Sequence, residues 1–482
     1  MAVSNATRIL HILSGLDIFQ DPVGQVWATI PVNGAVEYVP IKGQYFRSWV
    51  ASGFFKATGQ TAGATAIENA VNVLMQSAYE KPARRVFVRV AHNDGKIFVD
   101  LANERREVVE IDVKGWKVIT NPPVAFRRPR GMLALPTPKE YGDLKEIGLF
   151  SNLRDETDLT LLVGWIVGAV GNVGYPVLVL NGSQGSGKST LAIALKRLLD
   201  PNEADTRSLP RDEQTLAIAA SNQWVLSLDN LSTIPDWLSD SLCRLSTGTG
   251  WGTRELYADT DEVILKIKRP IIVNGITNLV IRGDLLDRSI IINLPEISDV
   301  QRRTEAEFWA SFENSKPYFL GAICDAASTA LARWDISRLD SYPRLADFTR
   351  WVEAAALSLN WEWGKFAMTF SDHAEVQSTI AIDLSVIGSE LVTFAQNKKN
   401  WIGSATQLLE QLQSQTYATP SFERFSKMTP RALSDEIRRL APLLRKQGID
   451  ISTSDKTRWV NGVAMRPIEI CLLSIGQRVN VP

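Results

Sequence analysis

Two periods of hydrophobic alternation divide the chain. Through residue 120, short runs such as "GQVWATIPV", "EYVPI", "RRVFVRVAH", "GKIFVDLA", "REVVEIDV" and "GWKVIT" alternate on the two-residue period of strands. One amphipathic helix, about Ala64 to Tyr79, interrupts them, so residues 1–120 are expected to form an N-terminal α+β domain. The segment "NPPVAFRRPRGMLALPTPK" is dense in proline and arginine and predicts a linker over 121–150. From Asp155 to Pro295, apolar runs alternate with helix-period segments, the pattern of an α/β parallel-sheet core over 151–297. Residues 298–396 read as a helical region whose tryptophans, at 309, 334, 351, 361 and 363, are expected to pack between helices. The remainder, 397–482, runs helix ("ATQLLEQLQ"), helix ("TPRALSDEIRRLAPLLRKQGIDIS") and a strand-like "RPIEICLL", the order of a winged helix.

One stretch complicates this picture. No charged residue occurs between Leu159 and Gly187, a length that would span a membrane. Gly171, Asn172, Gly174 and Pro176 break it, so it reads as a buried helix, a turn and a buried strand. The N-terminus lacks the basic start and long apolar run of a signal peptide. With 45% hydrophobic and 22% charged residues, the 482-residue chain has the balance of a soluble globular protein, expected in the cytoplasm without a membrane partner. The three cysteines (Cys243, Cys324, Cys471) are too far apart for a metal site and read as buried free thiols. Net charge is −1, but it is unevenly placed. Lys398 to Arg466 carries twelve basic and six acidic residues, a net of +6 that leaves −7 elsewhere. A basic terminal unit suits phosphate contact with DNA; a solvated helix face is the alternative.

The chemistry concentrates in the α/β region. "VLVLNGSQGSGKSTLAIALKRLL" places Gly182, Gly187, Lys188 and Ser189 in the G-x-x-x-x-G-K-[ST] pattern, between a strand and an amphipathic helix. The glycines let the backbone N–H groups of Gly182, Ser183, Gln184, Gly185, Ser186, Gly187, Lys188, Ser189 and Thr190 wrap a phosphate chain at the positive end of the helix. Lys188 is expected to reach the β- and γ-phosphates of ATP, and Ser189 to ligate Mg²⁺. About 40 residues on, "WVLSLDN" ends a buried strand on Asp229, the second candidate for the Mg²⁺ shell; a strand-ending turn is the plainer alternative. A third strand, "RPIIVNGITN", ends on Asn274, which could bond the attacking water or the γ-phosphate. Arg282 and Arg288 follow in "IRGDLLDRSIIINLP", where Arg288 is the preferred arginine finger to a neighbouring subunit and an ion pair with Asp284 or Asp287 is the alternative.

These motifs, in this order, resemble the superfamily 3 helicase ATPases of phage and plasmid replication, in particular the ATPase part of primase–helicases. "GSQGSGKS" matches motif A, "VLSLDN" motif B, "STGTGWGTRELYADTDEVILKIKRP" the B′ region and "IIVNG" motif C. The resemblance implies an AAA+-like P-loop ring, usually a hexamer, with ATP between subunits and DNA in the pore, and possibly a separate primase or polymerase as partner. Two departures stand out. The B′ tip, Tyr257 to Glu262, is acidic where the family offers basic residues; Arg254, Lys266, Lys268 and Arg269 flank it, and Trp251 could stack on a base or pack on a neighbouring subunit. Asn230 replaces the carboxylate that orients water, and Glu255 or Glu262 could substitute for it. A motor slowed by Asn230 and a nucleotide-gated DNA-binding initiator, loader or sensor are the two functions this sequence permits.

Overall fold

The computed structural model describes residues 3–473 apart from 33, 255–261, 277–281, 386, 417–426 and 461. The four apolar runs of the α/β region form one parallel sheet, ordered Leu226–Leu231, Ile271–Gly275, Val177–Gly182 and Ser289–Leu294. Their burial is nearly continuous because both faces of the sheet are covered. Side-chain alternation assigns the faces. Leu178, Leu180, Ile272, Ile290 and Ile292 point into one core with the helices Glu156–Gly168, Lys188–Leu199 and Glu305–Arg333. Val177, Val179, Leu226, Leu228, Ile271, Val273 and Ile291 point into a second core. The sheet is thus the wall between two hydrophobic layers.

The uncharged run from Leu159 is the helix Glu156–Gly168 followed by the strand Val177–Gly182, as its break residues predict. Its glycines admit aromatic rings. A Cβ on Gly164 would lie 2.2 Å from Phe366, on Gly168 2.0 Å from Phe348, and on Gly171 2.8 Å from the Trp351 ring. Close approach of helices Ala346–Ala354 and Lys365–Leu384 depends on those missing side chains. Trp351 and Trp361 are buried in this layer, whereas Trp363, expected with them, is 47% exposed. Among the described residues, no single helix is long and apolar enough to cross a membrane.

The first 120 residues form two units. Helices Asn5–Ile12, Gln44–Thr58 and Ala64–Tyr79 and a three-stranded antiparallel sheet enclose a core around Ile9, Ala28, Ile30, Phe46 and Val71. Gln44–Thr58 escapes the pattern analysis because its apolar residues do not keep to one face; Phe55 is exposed. The antiparallel meander Val90–Asn93, Lys96–Asp100, Val108–Asp112 and Gly115–Ile119 instead shares the core of the central sheet's helical layer. Ser328 Oγ donates to Asp112 O at 2.6 Å, and Trp116 Nε1 to Asp325 Oδ1 at 2.8 Å. The boundary expected at 120 therefore cuts between two parts of one core. The presumed linker is strapped down too: Leu135, Leu144, Ile147 and Phe150 are buried, and Lys139 N–H donates to Pro317 O.

A buried charge network joins these pieces. Arg89 Nε donates to Asp200 Oδ1 at 3.0 Å and Lys196 Nζ to Asp200 Oδ2 at 2.7 Å, and all three residues are buried. Burial alone would raise the Asp200 carboxyl, but the charges of Lys196 and Arg89 outweigh it and hold the group at about 2. Asp200 also accepts from the backbone N–H groups of Trp224 and Val225, which fixes the entry to the Asp229 strand.

The C-terminal unit begins with helix Gly388–Lys398 and strand Asn400–Gly403, then helices Ala405–Thr416 and Pro430–Lys446. Strands Ile449–Thr453 and Ile468–Leu472 pair with Asn400–Gly403 in a three-stranded antiparallel sheet, and Arg458–Val460 with Val463–Met465 forms a projecting ribbon between them. Among the described residues the order is helix–strand–helix–helix–strand–ribbon–strand, five strands where the sequence pattern marks one final strand-like run. Its helix Pro430–Lys446 buries Leu433, Ile437, Leu440 and Leu443 in the second core of the central sheet. Cys243 and Cys324 are buried, but Cys471 is exposed, because it occupies an outward position of the last strand.

Candidate functional site

The site lies at the carboxyl ends of the parallel strands, where adjacent strand tips and the first turn of helix Lys188–Leu199 converge. Gly185 and Gly187 have φ of +83° and +82°, which a side chain would strain, and they turn the loop back onto the helix. A Cβ on Gly182 would lie 2.3 Å from Ser186 Oγ, so the loop closes only over glycine there. Ser186 is fully buried and its Oγ has no partner among the described residues. Lys188 Nζ donates to Ser183 O at 3.0 Å, folding the lysine over its own loop.

Ser189 Oγ donates to Asp229 Oδ1 at 3.0 Å, across 40 positions of sequence. Asn274 sits on the strand between those carrying the loop and Asp229. It is fully buried; its Oδ1 accepts from the Asn230 backbone N–H at 2.8 Å, and its Nδ2 has no partner among the described residues. Asn230 adopts φ of +56°, a left-handed conformation asparagine tolerates, and this makes the register shift between Leu228 and Leu231. Its side chain is exposed.

Arg282 and Arg288 do not join this cluster. Arg288 precedes the strand Ser289–Leu294, and its carbonyl accepts from Val177 N–H at the amino end of the sheet. Val177 to Gly182 separates it from the loop by about 17 Å at a strand rise of ~3.3 Å per residue. Its guanidinium pairs with Asp284, the alternative the sequence allowed; Arg344 meets Asp284 and Asp287, and Lys446 meets Asp287. Arg282 lies 3.4 Å from Asp236 and 3.2 Å from Asp240. The B′ segment forms an antiparallel hairpin, Trp251–Arg254 with Glu262–Leu265. Its acidic tip, Glu255 included, lies outside the described residues up to residue 261.

Residues 144–359 match the family model of the actinomycete integrative conjugative element replication protein, and residues 387–470 match that of the AICE RepA C-terminal domain. The first match spans the parallel sheet and most of its helical layer, the second the C-terminal unit; together they take in more than half of the chain. The chain belongs to this family of replication proteins. No curated protein matches it. Among solved structures it is similar to an active helicase, Cch of SCCmec type IV (11% identity, 95% of this chain and 93% of that one, TM-score 0.48). It is also similar to the apo C-terminal region of NrS-1 (13%, 96% and 98%, TM-score 0.40) and to a JCV helicase with a bound small molecule (13%, 46% and 66%, TM-score 0.23).

In this replication protein the structure adds one residue that motif spacing did not find. Arg302 Nη2 lies 4.0 Å from the position a Cβ on Gly185 would take, and its ion pair among the described residues, 3.3 Å to Asp299, is exposed. Ile297 closes over Gly187 from the same segment. An arginine in a loop after the last sheet strand has no periodicity or glycine signature, so nothing in the local sequence marks it.

Proposed function

We propose that this replication protein is an ATP-hydrolysing DNA motor of the superfamily 3 type that works as a ring, with six subunits the expected number. The observation that carries the reading is the Ser189–Asp229 hydrogen bond beside a glycine cradle, with buried polar atoms of Ser186 and Asn274 left without partners among the described residues. Buried polar groups are normally satisfied, so unsatisfied ones on a phosphate-type loop suit a ligand that supplies the missing partners. ATP and Mg²⁺ fit this set. Ser189 and Asp229 are two oxygen ligands, and Mg²⁺ is commonly held by few protein groups plus substrate phosphates. When bound, the ion would supply charge neutralisation on the phosphates.

The chain's own groups then divide the work. Loop N–H groups and Lys188 orient the phosphates, Asp229 accepts from Ser189 and fixes its hydroxyl, and Asn274 offers an amide N–H from the central strand tip. Arg302, lying over Gly185, adds positive charge from the same subunit. Arg288 is too far from its own loop to act there, so its role belongs at a neighbouring subunit's nucleotide. The C-terminal unit and the hairpin would contact DNA, and the N-terminal unit would form a collar or dock a partner such as a primase or polymerase.

Asn230 favours a second reading, a nucleotide-gated initiator with slow hydrolysis, because an amide orients water without accepting its proton. Strand displacement on a forked DNA separates the two. The motor predicts ATP-dependent unwinding by the wild type and none by Lys188→Ala. An ATP-bound, ring-forming wild type that never unwinds would leave the switch.

A further inference from the structure

The C-terminal unit presents two charged elements, and they differ in what they leave available. On the helix Pro430–Lys446, Arg438 pairs with Asp435 and Asp455, Arg439 with Glu436, Arg445 with Asp450, and Lys446 with Asp287. Four of the helix's five basic side chains meet five carboxylates there, so that stretch offers a phosphate backbone no net field; Arg431, in the first turn, has no ion pair among the described residues. Its apolar face is committed to the core.

The ribbon Arg458–Val460 and Val463–Met465 is the opposite case. Lys456 and Arg466 have no ion-pair partner among the described residues, and Arg458 has only a 3.4 Å pair with Glu469. Trp459 is 78% exposed. It stands across from Ala464, a side chain too small to cover an indole. Arg466 lies two residues beyond Ala464, in the extended conformation favoured before Pro467, so alternation brings it to the same face as Trp459. A large aromatic ring left uncovered on a projecting ribbon between cations has an unmet apolar face and an unmet charge.

We infer that this ribbon, and not the preceding helix, is the nucleic-acid contact of the C-terminal unit, and that it takes single-stranded DNA, with Trp459 stacked on a base and Lys456, Arg458 and Arg466 on phosphates. Single-stranded DNA fits because its base faces are open to a flat ring, whereas in a duplex neighbouring bases cover them. The inference rests on the proposed DNA-motor reading and specifies where that reading grips its strand.

The test uses the full-length chain and three probes: a 20-nucleotide oligothymidylate, an abasic strand of equal length, and a blunt duplex. Trp459→Ala should weaken oligothymidylate binding roughly tenfold, leave the abasic strand unaffected and leave the salt slope unchanged. Trp459→Phe should retain most of the affinity. Lys456→Ala with Arg466→Ala should weaken both single strands and flatten the salt slope by about 0.7 per lost phosphate contact. DNA-independent ATP hydrolysis should stay at the wild-type level in all of these variants. The inference is overturned if Trp459→Ala binds oligothymidylate like the wild type or loses equal affinity for the abasic strand. It is also overturned if Trp459→Ala changes only subunit association in sedimentation. In each of those cases a wild type that binds DNA and hydrolyses ATP leaves the motor reading standing. A wild type that binds none of the three probes removes both.

Discussion

The two ends of the parallel sheet are built to opposite rules. At the carboxyl end, among the described residues, Ser186 Oγ and Asn274 Nδ2 are buried without partners, Lys188 reaches a loop carbonyl, and Arg302 hangs over the loop with an exposed ion pair. At the amino end, Arg288, Arg344 and Lys446 meet Asp284 and Asp287 in a closed set of ion pairs. One end has polar capacity to spare, and the other has used it. The difference teaches where a ligand's energy would go: at the carboxyl end it fills existing deficits, whereas at the amino end a new partner must compete with pairs already made.

The largest effect should come from breaking the two ends separately and then together. In a ring, each nucleotide would be sandwiched between one subunit's carboxyl end and the next subunit's amino end. Lys188→Ala and Arg288→Ala should each lower ATP hydrolysis by about 1000-fold, or ~4 kcal/mol of barrier. Mixing the two inactive proteins should restore part of the activity, because some interfaces then combine an intact loop with an intact Arg288. No recovery, or an Arg288→Ala protein that hydrolyses ATP normally, would confine Arg288 to the ion pair seen here.

How much of this was legible in the sequence differs between the ends. The strand–turn–helix around Lys188 and the strand tips at Asp229 and Asn274 announced themselves, because apolar runs ending on a lone polar residue at fixed spacing have few other uses. The placement of Arg288 far from its own loop needed the sheet order, which no local pattern encodes. Arg302 was invisible for the same reason. The Arg89–Asp200–Lys196 network was hidden differently: charges at a helix end look solvent-facing in a one-dimensional pattern, and only the packing of the meander buries them. The meander itself reads as strands, but alternation specifies which face is buried and not what buries it, so the boundary near residue 120 could not be placed. Cys471 shows the same limit in miniature, since a thiol near a chain's end is buried or exposed according to strand register.

A second way to sharpen the comparison acts on the strand that joins the two ends. Ile291, midway along Ser289–Leu294, donates its backbone N–H to His373 Nε2 at 3.0 Å inside the protein. The acceptor must be unprotonated. Burial pushes this imidazole down to about 4; the Asp158 carboxylate opposes that shift weakly and the Arg154 guanidinium adds to it. Between pH 4 and 6.5 the unfolded chain therefore binds the proton that the folded chain excludes, and stability rises with pH across that window and levels off above it. The contribution is about 3 kcal/mol for a shift of this size. Chemical denaturation of wild type and His373→Gln at a series of pH values isolates it from His92, which titrates in the same range. The variant should show a flatter curve; identical curves would remove His373 as the titrating tie.

The smallest effect is the most informative about the amino end. Asp284 is 53% exposed and touches both Arg288 and Arg344, yet exposed ion pairs contribute only ~0–1 kcal/mol. Asp284→Ala should therefore cost less than about 1 kcal/mol in denaturant unfolding, since Arg344 keeps Asp287 and Arg288 keeps its bond to the backbone carbonyl of residue 284. Hydrolysis should respond more than stability does, because a guanidinium freed from Asp284 samples more rotamers before it meets a neighbour's phosphate. A fall of a few fold in ATP turnover at unchanged nucleotide affinity is the expected signature. A loss of several kcal/mol instead would mean that the amino end is held together as tightly as the buried Asp200 network, and a pair so committed to the fold could not release Arg288 to another subunit.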